Sequence, residues 1–96
     1  MTHHKALRII VSGRVQGVGF RAFLAHAAAR LELSGFARNR GWKEVETLVA
    51  GEAAALEDFA RLARRGPPGA HVESYREEEA QAEEAGGAGF VVAPSV

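Results

Sequence analysis

The 96-residue sequence predicts an α+β fold on three observations. Two stretches repeat apolar residues at helical spacing, five short segments favour extended backbone, and the two kinds interleave as strand, helix, strand, strand, helix, strand, with a short strand to finish.

Leu7–Val11 is rich in β-branched residues and reads as the first strand. Phe20, Phe23, Leu24, Ala27, Ala28 and Leu31 then fall at i, i+3, i+4, i+7, i+8 and i+11, the apolar stripe of a helix ending near Leu31. Gly35–Arg40 and Val45–Ala50 are the second and third strands, and Gly41–Glu44 between them has hairpin-loop length. Glu52–Arg65 repeats the helical pattern through Leu56, Phe59, Ala60 and Ala63. Glu52 suits the positive end of that helix, and Arg64 and Arg65 the negative end. Gly66, Pro67 and Pro68 stop it. Val72–Arg76 is a fourth strand, and Phe90–Val92 a short last one. Glu77–Gly89, acidic and then rich in alanine and glycine, is the least structured stretch by composition. Right-handed crossovers through two such helices give an antiparallel sheet with both helices on one face, a ferredoxin-like sandwich. Residues 1–96 are expected to form a single domain, with flexible ends at 1–5 and 94–96.

Chains of this size bury roughly 60–68% of their unfolded surface, enough for one modest core. The absence of cysteine excludes disulfides, iron–sulfur clusters, thiolate zinc sites and cysteine nucleophiles. No apolar run is long enough to span a bilayer, so a soluble cytoplasmic monomer with no membrane partner is expected. Formal net charge is zero, which gives no footprint for nucleic acid as a partner. Affinity for a charged ligand must come from a local arrangement.

Ser12–Arg21 supplies such an arrangement: a strand runs through Gly13, Gly17 and Gly19 into a helix whose first turn carries Arg21. Glycines let the backbone curl with its N–H groups inward, and a helix start adds unpaired N–H groups and a positive dipole end. Gly17-x-Gly19-x-x-Ala22 formally matches a dinucleotide fingerprint, but Asn39 stands about where an acidic residue would hold ribose. No Gly-Lys-Ser/Thr follows, which excludes a Walker loop. Two readings remain open from these residues alone: an anion cradle, or a tight strand–helix turn. Arg21 is either a solvated arginine or a functional one, held in a first turn where a cation is unfavourable by about 0.3–1 kcal/mol. Asn39 is disfavoured within a strand and shares a face with Ala37; it is a turn-proximal asparagine or a functional one. Phe20 and Phe23 read as core.

Gly13-Arg14-Val15-Gln16-Gly17-Val18-Gly19-Phe20-Arg21 resembles the signature of the acylphosphatases. The resemblance continues through Leu33-Ser34-Gly35, Asn39, Val45-Glu46, Gly51 and Gly66-Pro67-Pro68-Gly69-Ala70 to Val72. It implies metal-free, cofactor-free hydrolysis of an acyl phosphate to a carboxylate and inorganic phosphate, the latter both product and inhibitor. By the same resemblance Arg21 and Asn39 are the catalytic pair, Asn39 orienting the attacking water. The backbone of Val15, Gln16, Gly17, Val18, Gly19 and Phe20 binds the phosphoryl group. Two departures stand out. The family commonly has an Asp-Gly turn where this chain has Gly41-Trp42-Lys43-Glu44, and Leu-Gly-Leu where it has Leu31-Glu32-Leu33.

Other residues invite plainer readings. His3 and His4 belong to the tail, and no histidine pair, with His26 and His71 included, has metal-ligand spacing. Glu77–Glu79 reads as a charge-protected edge, and Trp42 as packed against its hairpin, with contact to an acyl group as the alternative. A phosphate-binding module without turnover is the main rival function. RNA binding is a second rival, opposed by the shortage of stacking aromatics, since Phe36 is alone in the central strands.

Overall fold

A computed structural model describes residues 4–96. Its elements are β1 (His4–Arg14), α1 (Phe20–Arg30), β2 (Ser34–Arg40), β3 (Glu44–Glu52), α2 (Ala53–Arg65), β4 (His71–Ala80), a 3₁₀ turn (Ala82–Ala85) and β5 (Phe90–Val92). The βαββαβ ferredoxin-like order is as the sequence predicts. The five strands form one sheet in the order β4-β1-β3-β2-β5. The four long strands pair antiparallel, whereas β5 runs parallel to β2, with Ala37 opposite Val92. The sheet is therefore mixed rather than wholly antiparallel. The chain must cross from β4 back over to the β2 edge, which sets that direction.

Alternation divides the sheet. Ile9, Val11, Ala37, Val45 and Val49 pack with Phe20, Leu24, Ala27, Ala28, Leu56, Phe59 and Ala63 of the helices. Phe20 and Phe23 meet edge to face at 6.1 Å, as core residues do. On the opposite face Ala6, Leu48 and Ala50 are covered by Ala85 of the 3₁₀ turn. There Glu46 is buried between Arg8 (2.5 Å) and Arg38 (2.7 Å). Burial works to raise its carboxyl, but the hydrogen bonds from Arg38 and Arg8 together outweigh it and hold the group below the usual carboxylate range.

Two expectations are corrected. β4 runs on through Ala80, because Glu77, Glu78 and Glu79 pair with Ile9, Arg8 and Leu7. Backbone pairing wins over composition here, and Arg8 and Arg64 lie 3.5 and 4.0 Å from Glu78 and Glu77. Towards the ends of the described chain His4 and Lys5 pair with Glu52 and Gly51, while Val96 N–H donates to Asn39 O (3.0 Å) and Gly41 N–H to Val96 O (2.9 Å). Residues 1–3, His3 among them, lie outside the described residues. Trp42 is 95% exposed and does not pack on its hairpin.

Helix α1 ends in a Schellman motif: Leu33 N–H donates to Ala28 O (2.8 Å) and Glu32 N–H to Ala29 O (3.3 Å). Glu32, where the family commonly has glycine, is left-handed (φ 59°) and exposed. A side chain there costs about 1–2 kcal/mol, partly offset by the extra unfolded-state freedom of glycine. Glu32→Gly is expected to stabilise the protein by about 0.5–1 kcal/mol at unchanged turnover. Chemical denaturation checks this; a lower midpoint would mean that the Glu32 side chain contributes something its exposure does not suggest.

Candidate active site

The β1–α1 loop, the start of α1, the end of β2 and β5 enclose a pocket of about 200 Å³, lined by Val15, Gly17, Gly19, Phe20, Arg21, Ala22, Asn39 and Val92. Its construction begins with the loop. Gly17 (φ 76°) and Gly19 (φ 79°) are both left-handed, with open space where a Cβ would lie, so conformation and not crowding calls for glycine at each. Gly19 is also the N-cap of α1 and offers no side-chain cap. The first helical hydrogen bond runs from Phe23 N–H to Gly19 O (2.9 Å). Among the described residues, no N–H from Val15 to Ala22 donates to a backbone carbonyl. Eight consecutive donors are thus left without a backbone partner, at a place where the helix dipole is positive.

Arg21 is half-buried beside this loop and forms no ion pair among the described residues. No acidic side chain stands in the first turn of α1 to balance it. Asn39 enters from β2, opposite Val45 in register and on the same face as Ala37. Its backbone carbonyl is taken by Val96, and its side-chain amide has no protein partner among the described residues. Arg21 and Asn39, 18 positions apart in the sequence, are brought to one cavity by the α1–β2 connection.

Four of the six expected loop residues, Val15, Gly17, Gly19 and Phe20, form its wall. Val18 does not, and packs at the edge of the core. The Gln16 side chain turns away to the hairpin, where Nε2 donates to Gly41 O (3.0 Å) and Glu44 O (2.9 Å). Sequence reasoning missed Ala22 and Val92. Ala22 follows from Arg21 by adjacency, but nothing in a three-residue strand announces that Val92 lies beside Asn39.

A larger depression, about 1010 Å³, lies mainly over the opposite face of the sheet and includes Arg8, Arg38, Arg40, Arg76, Glu46, Glu77 and Glu78. Its buried carboxylate, Glu46, is engaged by Arg8 and Arg38. Phe36, the one aromatic of the central strands, is packed with the Ala85 cluster and capped by Arg38 at 5.2 Å from its ring centre. It makes no open stacking platform. Among the described residues no three His, Asp or Glu side chains converge as a metal site, and no helix is long and apolar enough to cross a membrane.

The acylphosphatase family model matches residues 7–92. Over all 96 residues, and the whole length of the relative, the chain is 45% identical to an acylphosphatase of Azorhizobium caulinodans. It is 54% identical to one from Acidiphilium cryptum over 67 residues, 70% of this chain and 74% of that one. The crystal structure of acylphosphatase from Bacillus subtilis superposes with a TM-score of 0.86 at 37% identity, covering 93% of this chain and 98% of that one.

Proposed function

The chain belongs to the acylphosphatase family and hydrolyses acyl phosphates, and we propose that it does so without a metal ion, using its backbone cradle, Arg21 and Asn39. The single observation that carries this mechanism is a loop from Val15 to Ala22 whose N–H groups lack backbone partners, six of whose residues line the same small pocket as Asn39, Arg21 among them.

An acyl phosphate is a mixed anhydride whose carboxylate leaves readily, so no general acid is required. The transition state is loose, and catalysis lies in positioning and in balancing charge on the phosphoryl oxygens. The cradle N–H groups and the planar Arg21 fork hold those oxygens. Asn39 holds a water in line with the scissile P–O bond. Water oxygen bonds to phosphorus, the P–O bond to the acyl group breaks, and the carboxylate departs with its electron pair. A phosphoryl oxygen takes the proton from water. A pocket of about 200 Å³ fits the phosphoryl group and leaves the acyl arm outside. The protein acts as a monomer, with inorganic phosphate both product and competitive inhibitor.

Benzoyl phosphate turnover, followed with and without excess chelator, tests the mechanism. The rate is expected to be the same in both, and added magnesium is expected not to raise it. Activity lost to chelator and restored by a metal ion would overturn the metal-free mechanism.

A further inference from the structure

We infer that Gln16 is a positioning residue for hydrolysis: its side-chain amide locks the β2–β3 turn against the cradle loop and so fixes the aim of Asn39. This rests on the proposal above that Asn39 holds the attacking water.

The turn Gly41–Lys43 lacks the devices that make hairpins rigid. It has no Asp-Gly or Asn-Gly pair, only Gly41 has positive φ, and Trp42 at its tip packs on nothing. Asn39 lies two residues before it, so freedom in the turn becomes freedom in the side chain that must hold water. Gln16 removes that freedom. Its Nε2 donates to the carbonyls at the two ends of the turn, Gly41 O at 3.0 Å and Glu44 O at 2.9 Å, spending both amide hydrogens. Gly13 N–H adds a bond to Lys43 O at 3.0 Å, also from the cradle strand. At the base of the turn Arg40 pairs with Glu44 in the ladder and its guanidinium lies 3.5 Å from the Glu44 carboxylate, and from the other side Val96 bonds Asn39 O and Gly41 N–H, but none of these reaches the cradle loop. Among the described residues, Gln16 is thus the one side chain whose hydrogen bonds join the phosphate-holding segment to the water-holding segment. Reach matters: asparagine is one carbon too short, and a carboxylate would face two carbonyl oxygens with no hydrogen to give. The backbone N–H of residue 16 stays in the cradle whatever the side chain.

The test is a pair of substitutions, each made alone and with Asn39→Ala. Gln16→Met keeps length and shape but removes both donors; Gln16→Asn keeps the amide and shortens the arm, and carries the test if Gln16→Met does not fold. Benzoyl phosphate kinetics are read as kcat, KM and the inhibition constant of inorganic phosphate. Either variant is expected to lose about ten- to a hundredfold in kcat, the scale of a small misplacement of a reacting group, with phosphate inhibition unchanged. In the Asn39→Ala background the same substitutions are expected to cause no further loss, because both act through one water. A normal kcat in Gln16→Met or Gln16→Asn beside a crippled Asn39→Ala overturns the positioning role alone. So do losses that multiply in the double variant, or losses confined to phosphate binding. Full turnover in Asn39→Ala by itself overturns the water-holding proposal, and the role of Gln16 with it.

Discussion

Arg21→Ala is expected to abolish detectable hydrolysis and competitive inhibition by phosphate, while leaving the fold at least as stable as before. Arg21 touches the pocket that the cradle surrounds and forms no ion pair with described residues. Its removal therefore leaves no buried carboxylate uncompensated. The local electrostatics point the same way. A cation in the first turn of α1, with no acid beside it, opposes the helix dipole by about 0.3–1 kcal/mol. The effect on chemistry has the opposite sign and is larger. A guanidinium aimed at a transferring phosphoryl group is worth about 10³–10⁵ in rate, and each charge-assisted bond to phosphate about 1.5–3 kcal/mol. Steady-state kinetics and thermal denaturation of the same preparation separate the two effects. A marked fall in melting temperature with phosphate inhibition intact would make Arg21 structural.

What the sequence made legible follows the range of the interactions involved. Helix α1 was readable because its stripe from Phe20 to Leu31 is periodic, whereas the left-handed Glu32 at its exit was legible only through the glycine that the resembling family carries there. The cradle was readable as a candidate because Gly13, Gly17 and Gly19 let a strand–helix loop curl with its N–H groups inward and Arg21 sits in the first turn of the helix; the resemblance to a known family then chose between cradle and turn. β4 was not readable to its end. Its last four residues are extended because β1 lies alongside, a partner more than sixty positions away, and three consecutive glutamates give no local sign of it. The direction of β5 and the place of Val92 in the pocket likewise come from a crossover and not from composition. Gln16 was counted for its backbone alone. Its side chain bonds residues 25 and 28 positions further on, across a turn whose shape only the folded chain defines.

Asn39→Ala is expected to lower kcat by two to three orders of magnitude while phosphate inhibits about as well as before. The two halves of that expectation have separate physical causes. In the proposed mechanism phosphate affinity comes from the cradle and Arg21, which lie on the β1–α1 side of the pocket, and the substitution leaves both in place. In the same mechanism the rate depends on a water held opposite the leaving carboxylate. Asn39 is suited to hold it because it lines the pocket and its side-chain amide has no protein partner among the described residues. Losing one well-aimed polar group of this kind raises a barrier by about 2.7–4 kcal/mol. If Asn39 were only a hairpin residue, alanine would change stability by about 1 kcal/mol and leave kcat nearly unmoved. Its backbone bond to Val96 would survive in either case, since alanine keeps the carbonyl that accepts it. Asn39→Asp sharpens the comparison: it keeps the size but sets a negative charge facing the phosphoryl oxygens, so it is expected to weaken phosphate inhibition as well as rate. Folded Asn39→Ala protein that keeps most of its turnover would remove Asn39 from the mechanism and leave the cradle and Arg21 to act on a water held by something else.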